Sequence, residues 1–131
     1  MTDATMTDAA TIATNYLAVW NETNATRRRA MLDQNWTEDA TYVDPLAQVA
    51  GRDQIDALIA GVQERFPGCR FTLIGKPDGY GGHAPFSHVR FSWALGPEGQ
   101  EGTIKGSDVA VADRGRVRAV IGFLDQVPKG I

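Results

Sequence analysis

Three side chains in this sequence, one phenol and two carboxylic acids, have chemistry suited to moving protons. They are Tyr16, Asp44 and Asp108, and long stretches of chain separate them. Carboxyl and phenol groups act as general acids, general bases and hydrogen-bond donors when a fold holds them at a substrate. A shared role therefore requires elements that bring all three to one place.

Asp44 closes a short extended run, residues 39–44, and Pro45 follows it. Side chains of a strand alternate between its two faces, so Tyr42 and Asp44 share one face. A carboxylate beside an aromatic ring loses hydration, which favours its protonated form and suits it to proton transfer. The structural alternative is that Asp44 only caps a turn, because Asp-Pro is a common turn opener.

Asp108 lies in the middle of a predicted strand and shares a face with two small residues, Gly106 and Ala110. An unpaired buried carboxylate is costly, so it must find a partner or hold its proton. Two structural alternatives remain open: an edge strand that leaves Asp108 in solvent, and a cross-strand ion pair with Arg90 or Arg118.

The third residue, Tyr16, belongs to a predicted first helix over residues 10–22. Apolar residues recur there at spacings of three and four, which is typical of a helix with one apolar face. Trp20 follows Tyr16 by four residues, so both side chains point the same way. The helix would thus carry a phenol and an indole on its buried face.

The rest of the chain predicts two more helices and then mainly hairpins. A second helix follows a cap at Asn24 or Thr26 and runs to about Asp33, and a third runs from Gly51 to Phe66. Helices that precede hairpins are typical of an α+β domain, with helices on one face of a curved, mainly antiparallel sheet. Strands are predicted over residues 36–44, 70–75, 86–95, 102–112 and 116–124, and a mobile loop over residues 78–85.

Length and composition indicate one domain over residues 10–131, after a flexible N-terminus over residues 1–9. The 131 residues carry 13 basic and 16 acidic side chains, a net charge of −3 that favours no nucleic acid partner. No apolar stretch approaches the roughly 20 residues that span a membrane. The single cysteine, Cys69, excludes an internal disulfide, and we expect a cytoplasmic protein without a metal.

Aromatic side chains form a second set of candidates, as the lining of a ligand-binding cavity. Bulky rings are also the usual filling of a core, so each has a purely structural alternative. Trp20 and Trp36 are the strongest candidates because each accompanies a proposed catalytic residue in sequence. The full set is Trp20, Trp36, Tyr42, Phe66, Phe91 and Trp93.

From about residue 10 to residue 127 the chain resembles the ketosteroid isomerase and SnoaL-like branch of the nuclear transport factor 2-like superfamily. The segments that carry the resemblance are NYLAVWNETN, NWTEDATYVDP, GRDQIDALI, SDVAVADRGRVRAV and GFLD. The resemblance implies a cone-shaped fold of three helices around a bent sheet and a hydrophobic cavity entered from one end. It also implies a homodimer that binds a small hydrophobic molecule without a cofactor.

The ketosteroid isomerase pattern implies roles for the three residues. Asp44 would remove a proton next to a carbonyl and return it elsewhere, while Tyr16 and a protonated Asp108 would donate hydrogen bonds to the dienolate oxygen. The chain departs from the pattern at Ile59, where the steroid enzymes carry a supporting tyrosine. A SnoaL-like polyketide cyclase and a non-catalytic binding protein for an apolar ligand remain as alternatives.

Other branches of the superfamily fit the sequence less well. Limonene epoxide hydrolase-like members pair the late-strand acid with an arginine two residues earlier, where this chain has Gly106. Polyketide cyclases place an acid in the final strand, which here reads Val-Ile-Gly-Phe over residues 120–123. Scytalone dehydratase-like members use histidines, whereas His83 is predicted in the loop and His88 on a polar sheet face.

Overall fold

The computed structural model describes residues 8–81 and 85–128, which form three helices and a six-stranded curved sheet. The fold is α+β, as predicted, although two strands come before the third helix. In chain order the elements are α1 (Ala9–Asn21), α2 (Ala25–Asn35), β1 (Trp36–Val43), β2 (Gln48–Ala50), α3 (Arg52–Arg65), β3 (Cys69–Gly81), β4 (Phe86–Pro97), β5 (Ile104–Asp113) and β6 (Arg116–Gln126).

The sheet has the strand order β2-β1-β6-β5-β4-β3, so β5 and β6 lie in its middle. All neighbouring strands are antiparallel except β1 and β6, which run parallel. That parallel pair brings the end of β1 beside the middle of β6, with Val43 opposite Ile121. The end of the first strand, the final strand and the late strand β5 therefore lie side by side.

The helices begin where the sequence places capping residues. The side chain of Asp8 accepts a hydrogen bond from the Thr11 amide, and that of Asn24 accepts one from the Arg27 amide, both at 2.9 Å. Helix α3 follows Gly51, whose φ of 84° lies in the left-handed region that favours glycine. Of the two cap candidates for α2, Asn24 is the one used.

One prediction about local structure was wrong, and one strand was missed. Residues 78–81, predicted as part of a mobile loop, continue β3, because Gly79 and Tyr80 pair with Val89 and His88 of β4. The short strand β2 was not predicted, because three residues are too few for an alternating pattern to show. Of the predicted loop, residues 82–84 lie outside the described residues, as does His83, and so does most of the predicted flexible N-terminus.

A buried arginine holds the three helices together at the end of α1. Arg28 is 5% exposed; its Nε donates to Asp56 at 2.6 Å, and its Nη1 donates to the Glu22 carbonyl at 2.9 Å. Gln63 of α3 donates to the Glu22 carbonyl and to the Trp20 carbonyl. A buried charge needs such partners, and here they fix the C-terminal turn of α1, which carries Trp20.

Within the described part of the chain, no helix combines the length and the apolar character needed to cross a membrane.

Candidate active site

The hydroxyl of Tyr16, on α1, donates a 2.8 Å hydrogen bond to Oδ2 of Asp108, on β5. Both side chains are buried, with exposed fractions of 2% and 3%. Asp108 lies on a central strand, and its face of β5 is the one that packs under the helices. The edge-strand alternative for Asp108 is therefore excluded.

The ion-pair alternative for Asp108 is excluded as well. Arg90 pairs with Asp78 on the exposed surface at 3.3 Å, and Arg118 lies over the ring of Phe86, 5.1 Å from its centroid. The partner of Asp108 is thus a neutral phenol rather than a guanidinium.

Asp44 follows β1 and is held by three hydrogen bonds. Its Oδ1 accepts from the backbone amides of Leu46 and Ala47, both at 2.8 Å, which is the turn that Asp-Pro favours. Its Oδ2 accepts from the Tyr42 hydroxyl at 2.6 Å. Asp44 is half-buried, and a carboxylate offers about four acceptor positions, so one remains free on Oδ2.

Gly122, on β6, lies between the two acids. It pairs directly with Asp108, and a Cβ added to it would lie 2.8 Å from Oδ1 of Asp108. The same Cβ would lie 3.2 Å from the Cβ of Asp44 and 3.6 Å from the Tyr42 hydroxyl. The two carboxyl side chains therefore approach each other over a residue without a side chain.

The site consists of two tyrosine–aspartate pairs, Tyr16–Asp108 and Tyr42–Asp44, on either side of Gly122. Neighbouring strands of a sheet lie about 4.8 Å apart, so two acids on the strands that flank β6 stand roughly 10 Å apart at their Cα atoms. The atoms nearest Gly122 are Oδ1 of Asp108 and Cβ of Asp44.

Burial dominates the electrostatics of the site. It raises the pKa of Asp108 to about 6, helped by the negative charge of Asp44, while hydrogen bonds from Tyr16 and Trp93 act in the opposite direction. Burial and the charge of Asp108 raise the pKa of Tyr16 well above its ordinary value. The pKa of Tyr42 is also raised, first by burial and then by its bond to Asp44. Both phenols therefore stay protonated and act as donors.

Trp93 covers the floor of the site beside Asp108. It pairs with Gly106, and a Cβ at Gly106 would lie 2.3 Å from Cζ2 of the indole. An arginine at position 106, as in the epoxide hydrolase pattern, would displace Trp93.

Three of the aromatic side chains that were predicted to bind a ligand, Trp20, Trp36 and Phe91, contact Tyr16. Its ring stacks on Trp36 at 5.6 Å and meets Phe91 edge-on at 5.0 Å. Trp20 lies 6.3 Å from Tyr16 and 5.7 Å from Tyr42, so it touches both tyrosines of the site. Phe71 lies between Trp20 and Trp93, with ring centroids 5.5 Å and 5.2 Å away. The remaining candidate, Phe66, is half-buried at the end of α3 under the Arg65 guanidinium.

Two depressions on the described surface have volumes of about 420 and 490 Å³. They lie on β1 and its neighbours, and Thr41 lines both. Tyr42 lines the larger one together with residues of β2, whereas Asp44 and Asp108 line neither.

Metal binding is not indicated by the described residues, which contain no group of three or more His, Cys, Asp or Glu side chains placed to hold an ion. His88 faces the other side of the sheet from Asp108 and stacks on Tyr80 at 5.0 Å. Cys69 is half-buried at the start of β3.

Comparison with known proteins identifies the family. The model of the SnoaL-like domain matches residues 13–120. A crystal structure of a candidate isomerase of the SnoaL-like family from Agrobacterium tumefaciens is 43% identical, with a TM-score of 0.81 over 89% of this chain and 97% of that one. No curated protein gives a match.

Two more distant structures share the fold alone. A Catenulispora acidiphila protein with a ketosteroid isomerase-like fold, solved with trimethylamine, is 18% identical and has a TM-score of 0.63 over 88% of this chain and 85% of its own. A candidate ketosteroid isomerase from Kribbella flavida is 17% identical, with a TM-score of 0.59 over 94% and 82% of the two chains. With the family match over residues 13–120, these findings show that the chain belongs to the SnoaL-like domain family, within the nuclear transport factor 2-like fold.

Proposed function

We propose that this protein is a cofactor-independent enzyme that moves a proton next to the carbonyl group of a small hydrophobic substrate. The observation that carries the proposal is that two acidic side chains, Asp44 and Asp108, approach Gly122 from either side, each bonded to a tyrosine hydroxyl. One acid is half-exposed and the other is buried, so they can hold different protonation states at one substrate. The candidate-isomerase assignment of the Agrobacterium relative is consistent with this chemistry.

Asp44 is proposed as the general base. Three donors support its carboxylate and fix its direction, while the free acceptor position on Oδ2 can take a proton from the substrate. Its position beside the turn at residues 44–47 also leaves it accessible, whereas Asp108 is 3% exposed.

Asp108 and Tyr16 are proposed to stabilise the negative charge that develops on the substrate oxygen. With a pKa of about 6, Asp108 holds a proton in about half of the molecules at pH 6 and in about a tenth at pH 7. A protonated Oδ1 would donate toward the gap over Gly122, and the Tyr16 hydroxyl would hold Oδ2. Preset donors around a developing oxyanion are commonly the largest contribution to catalysis.

Proton removal next to a carbonyl is a step shared by double-bond isomerisation and by cyclisation of a polyketide. The acid that polyketide cyclases carry in the final strand is replaced here by the segment around Gly122, so isomerisation is the proposed reaction. Aromatic walls around Tyr16 favour a flat apolar substrate.

The proposal is tested by ultraviolet absorbance as β,γ-unsaturated ketones, a ketosteroid among them, become conjugated. Wild type should catalyse the change, and Asp44→Asn should lose most of it. Asp78→Asn is the matched control, because Asp78 is an exposed aspartate on β3 whose partner, Arg90, is also exposed. Turnover that Asp44→Asn retains would overturn the assigned base, and no turnover by wild type would overturn the isomerase assignment.

We also propose that the protein forms a homodimer through the face of the sheet opposite the helices. Val43, Ile121 and Phe123 are 38%, 48% and 55% exposed, and Val43 pairs with Ile121 on neighbouring strands. Apolar side chains clustered on a sheet face are typical of an interface. Sedimentation equilibrium should give twice the mass of 14.2 kDa, and Phe123→Glu should give the monomer. A monomeric wild type would contradict the dimer.

A further inference from the structure

Two buried indole groups near Tyr16 have hydrogen-bond donors without partners. Trp20 is 6% exposed and Trp36 is fully buried, and neither Nε1 has an acceptor among the described residues. An unpaired buried N–H is costly, because the group loses its hydrogen bonds to water and gains none in the protein. Such a donor in a native structure calls for a specific explanation, and a role in binding is one of the usual ones.

The two indoles differ in which residues of the site they contact. The Trp20 ring lies 6.3 Å from Tyr16 and 5.7 Å from Tyr42, the two tyrosines that bond the acids. The Trp36 ring stacks on Tyr16 at 5.6 Å, and the ring contacts of the described residues do not join it to Tyr42. Trp20 is therefore the indole that lies between the two tyrosine–aspartate pairs.

The groups around Trp20 leave its donor free for a ligand oxygen. The Tyr16 hydroxyl donates to Asp108, and the Tyr42 hydroxyl donates to Asp44. Trp20 lies between the two tyrosines, and its buried N–H donates neither to their hydroxyl oxygens nor to the carboxyl groups. An acceptor oxygen on a flat apolar molecule would supply the missing partner while the rings enclose the rest of it.

We propose that Trp20 is a further catalytic residue, whose indole N–H donates a hydrogen bond to the carbonyl oxygen of the substrate beside the Tyr16–Asp108 pair. The catalytic role of Trp20 rests on the proposed function. The binding of a carbonyl or phenol oxygen by Trp20 does not depend on turnover and can be tested without it. An indole is neutral at every working pH, so this donor does not depend on the protonation of Asp108.

The first experiment observes the donor itself. The chain has three tryptophans, Trp20, Trp36 and Trp93, and therefore three indole cross-peaks in a ¹H–¹⁵N spectrum. The probe is 2-naphthol, a flat apolar molecule with one oxygen, and each peak is assigned with a Trp→Phe variant. Saturation with 2-naphthol should move the Trp20 indole proton downfield, as a new hydrogen bond does, and leave the Trp36 proton in place.

The second experiment uses Trp20→Phe, which keeps an aromatic ring and removes the N–H. Its control is Tyr80→Phe, which also removes one hydrogen-bond donor from an aromatic side chain, but at a residue that is 69% exposed and stacks on His88. We expect the dissociation constant of 2-naphthol to rise about 10-fold in Trp20→Phe, and kcat to fall about 10²-fold, as for loss of one oxyanion donor. Tyr80→Phe should change both by less than about 3-fold.

The outcomes separate this inference from the proposed function. A Trp20-specific shift with 2-naphthol, in a protein that turns over no ketone, would support the oxygen site and overturn the isomerase assignment. Turnover of a ketone with an unshifted Trp20 proton and an unaffected Trp20→Phe variant would overturn the role of Trp20. If 2-naphthol does not bind up to its solubility, or if Trp20 holds only a water that the ligand leaves in place, the oxygen site is wrong.

Discussion

Tyr16 and Asp108 meet through a 2.8 Å hydrogen bond although 92 positions separate them in the chain. The bond joins the first helix to a central strand, and both groups are buried beneath rings that exclude water. Burial raises the pKa of the acid to about 6. A carboxyl group that ordinarily stays ionised near neutral pH thereby becomes one that can carry a proton to a ligand.

The activity should fall with rising pH. If Asp108 must be protonated in the free enzyme, kcat/KM decreases about tenfold per pH unit above its pKa of about 6. Asp108→Asn, which offers an uncharged donor at every pH, should be slower than wild type at pH 5 but should lose this alkaline limb. An Asn variant with the same limb as wild type would assign the limb to another group.

The stability should also depend on pH through Asp108. The pKa of Asp108 is higher in the folded state than in the unfolded state, so its proton stabilises the folded protein. This contribution to the free energy of unfolding is fully present below about pH 4 and is lost as the pH rises through 6. The difference between the ordinary aspartate pKa of 3.8 and the folded-state pKa of about 6 corresponds to about 3 kcal/mol in the free energy of unfolding. Urea unfolding at pH 4 and pH 7 measures it, with Asp108→Asn as the reference. Equal pH dependence in the two proteins would contradict the raised pKa.

Removal of the Tyr16 hydroxyl should destabilise the protein and weaken the site together. Tyr16→Phe leaves Oδ2 of Asp108 without its donor, which costs about 1–3 kcal/mol for a buried acceptor. Tyr80→Phe is the control, because Tyr80 is 69% exposed, and we expect no measurable change in its Tm. Thermal unfolding of the two variants measures the difference, and equal values would argue against the buried bond.

A side chain at Gly122 should separate the two acids. In Gly122→Ala the new methyl group would lie 2.8 Å from Oδ1 of Asp108, closer than real contacts allow, so the carboxyl group must move. We expect a loss of kcat of about 10-fold or more, since small displacements of catalytic groups are costly. Gly61→Ala, on an exposed helical position with no atom within 4 Å, should instead raise stability by about 1 kcal/mol. Unchanged kcat in Gly122→Ala would remove the gap over Gly122 from the mechanism.

Helices and most strands could be predicted because local patterns encode them, whereas the sequence left open whether Asp108 is buried or faces solvent. Tyr16 and Trp20 share a helical face, the alternation around Asp108 indicates a strand, and Asn24 is one of the two predicted caps of α2. The structural alternative for Asp44 was correct in part, since one carboxyl oxygen caps the turn while the other bonds Tyr42.

Relationships that depend on tertiary pairing could not be predicted in this way. The parallel pairing of β1 with β6 brings Gly122 between Asp44 and Asp108. No local sequence pattern in residues 120–123 indicates this pairing. The short strand β2 was not predicted, because three residues are too few to show an alternating pattern. The contact of Tyr42 with Asp44 could be predicted in part. Strand alternation places both side chains on one face, but their hydrogen bond also depends on the turn after Asp44, which orients the carboxyl group toward Tyr42.

Deuterium incorporation next to the carbonyl of a β,γ-unsaturated ketone in D₂O, followed by NMR, tests proton removal most directly, because it does not require the double bond to move. Wild type and Asp78→Asn should exchange the hydrogen well above the buffer rate, and Asp44→Asn should be slower by about 10²-fold or more. Exchange at the buffer rate by wild type, or equal exchange by wild type and Asp44→Asn, would contradict the proposed general base.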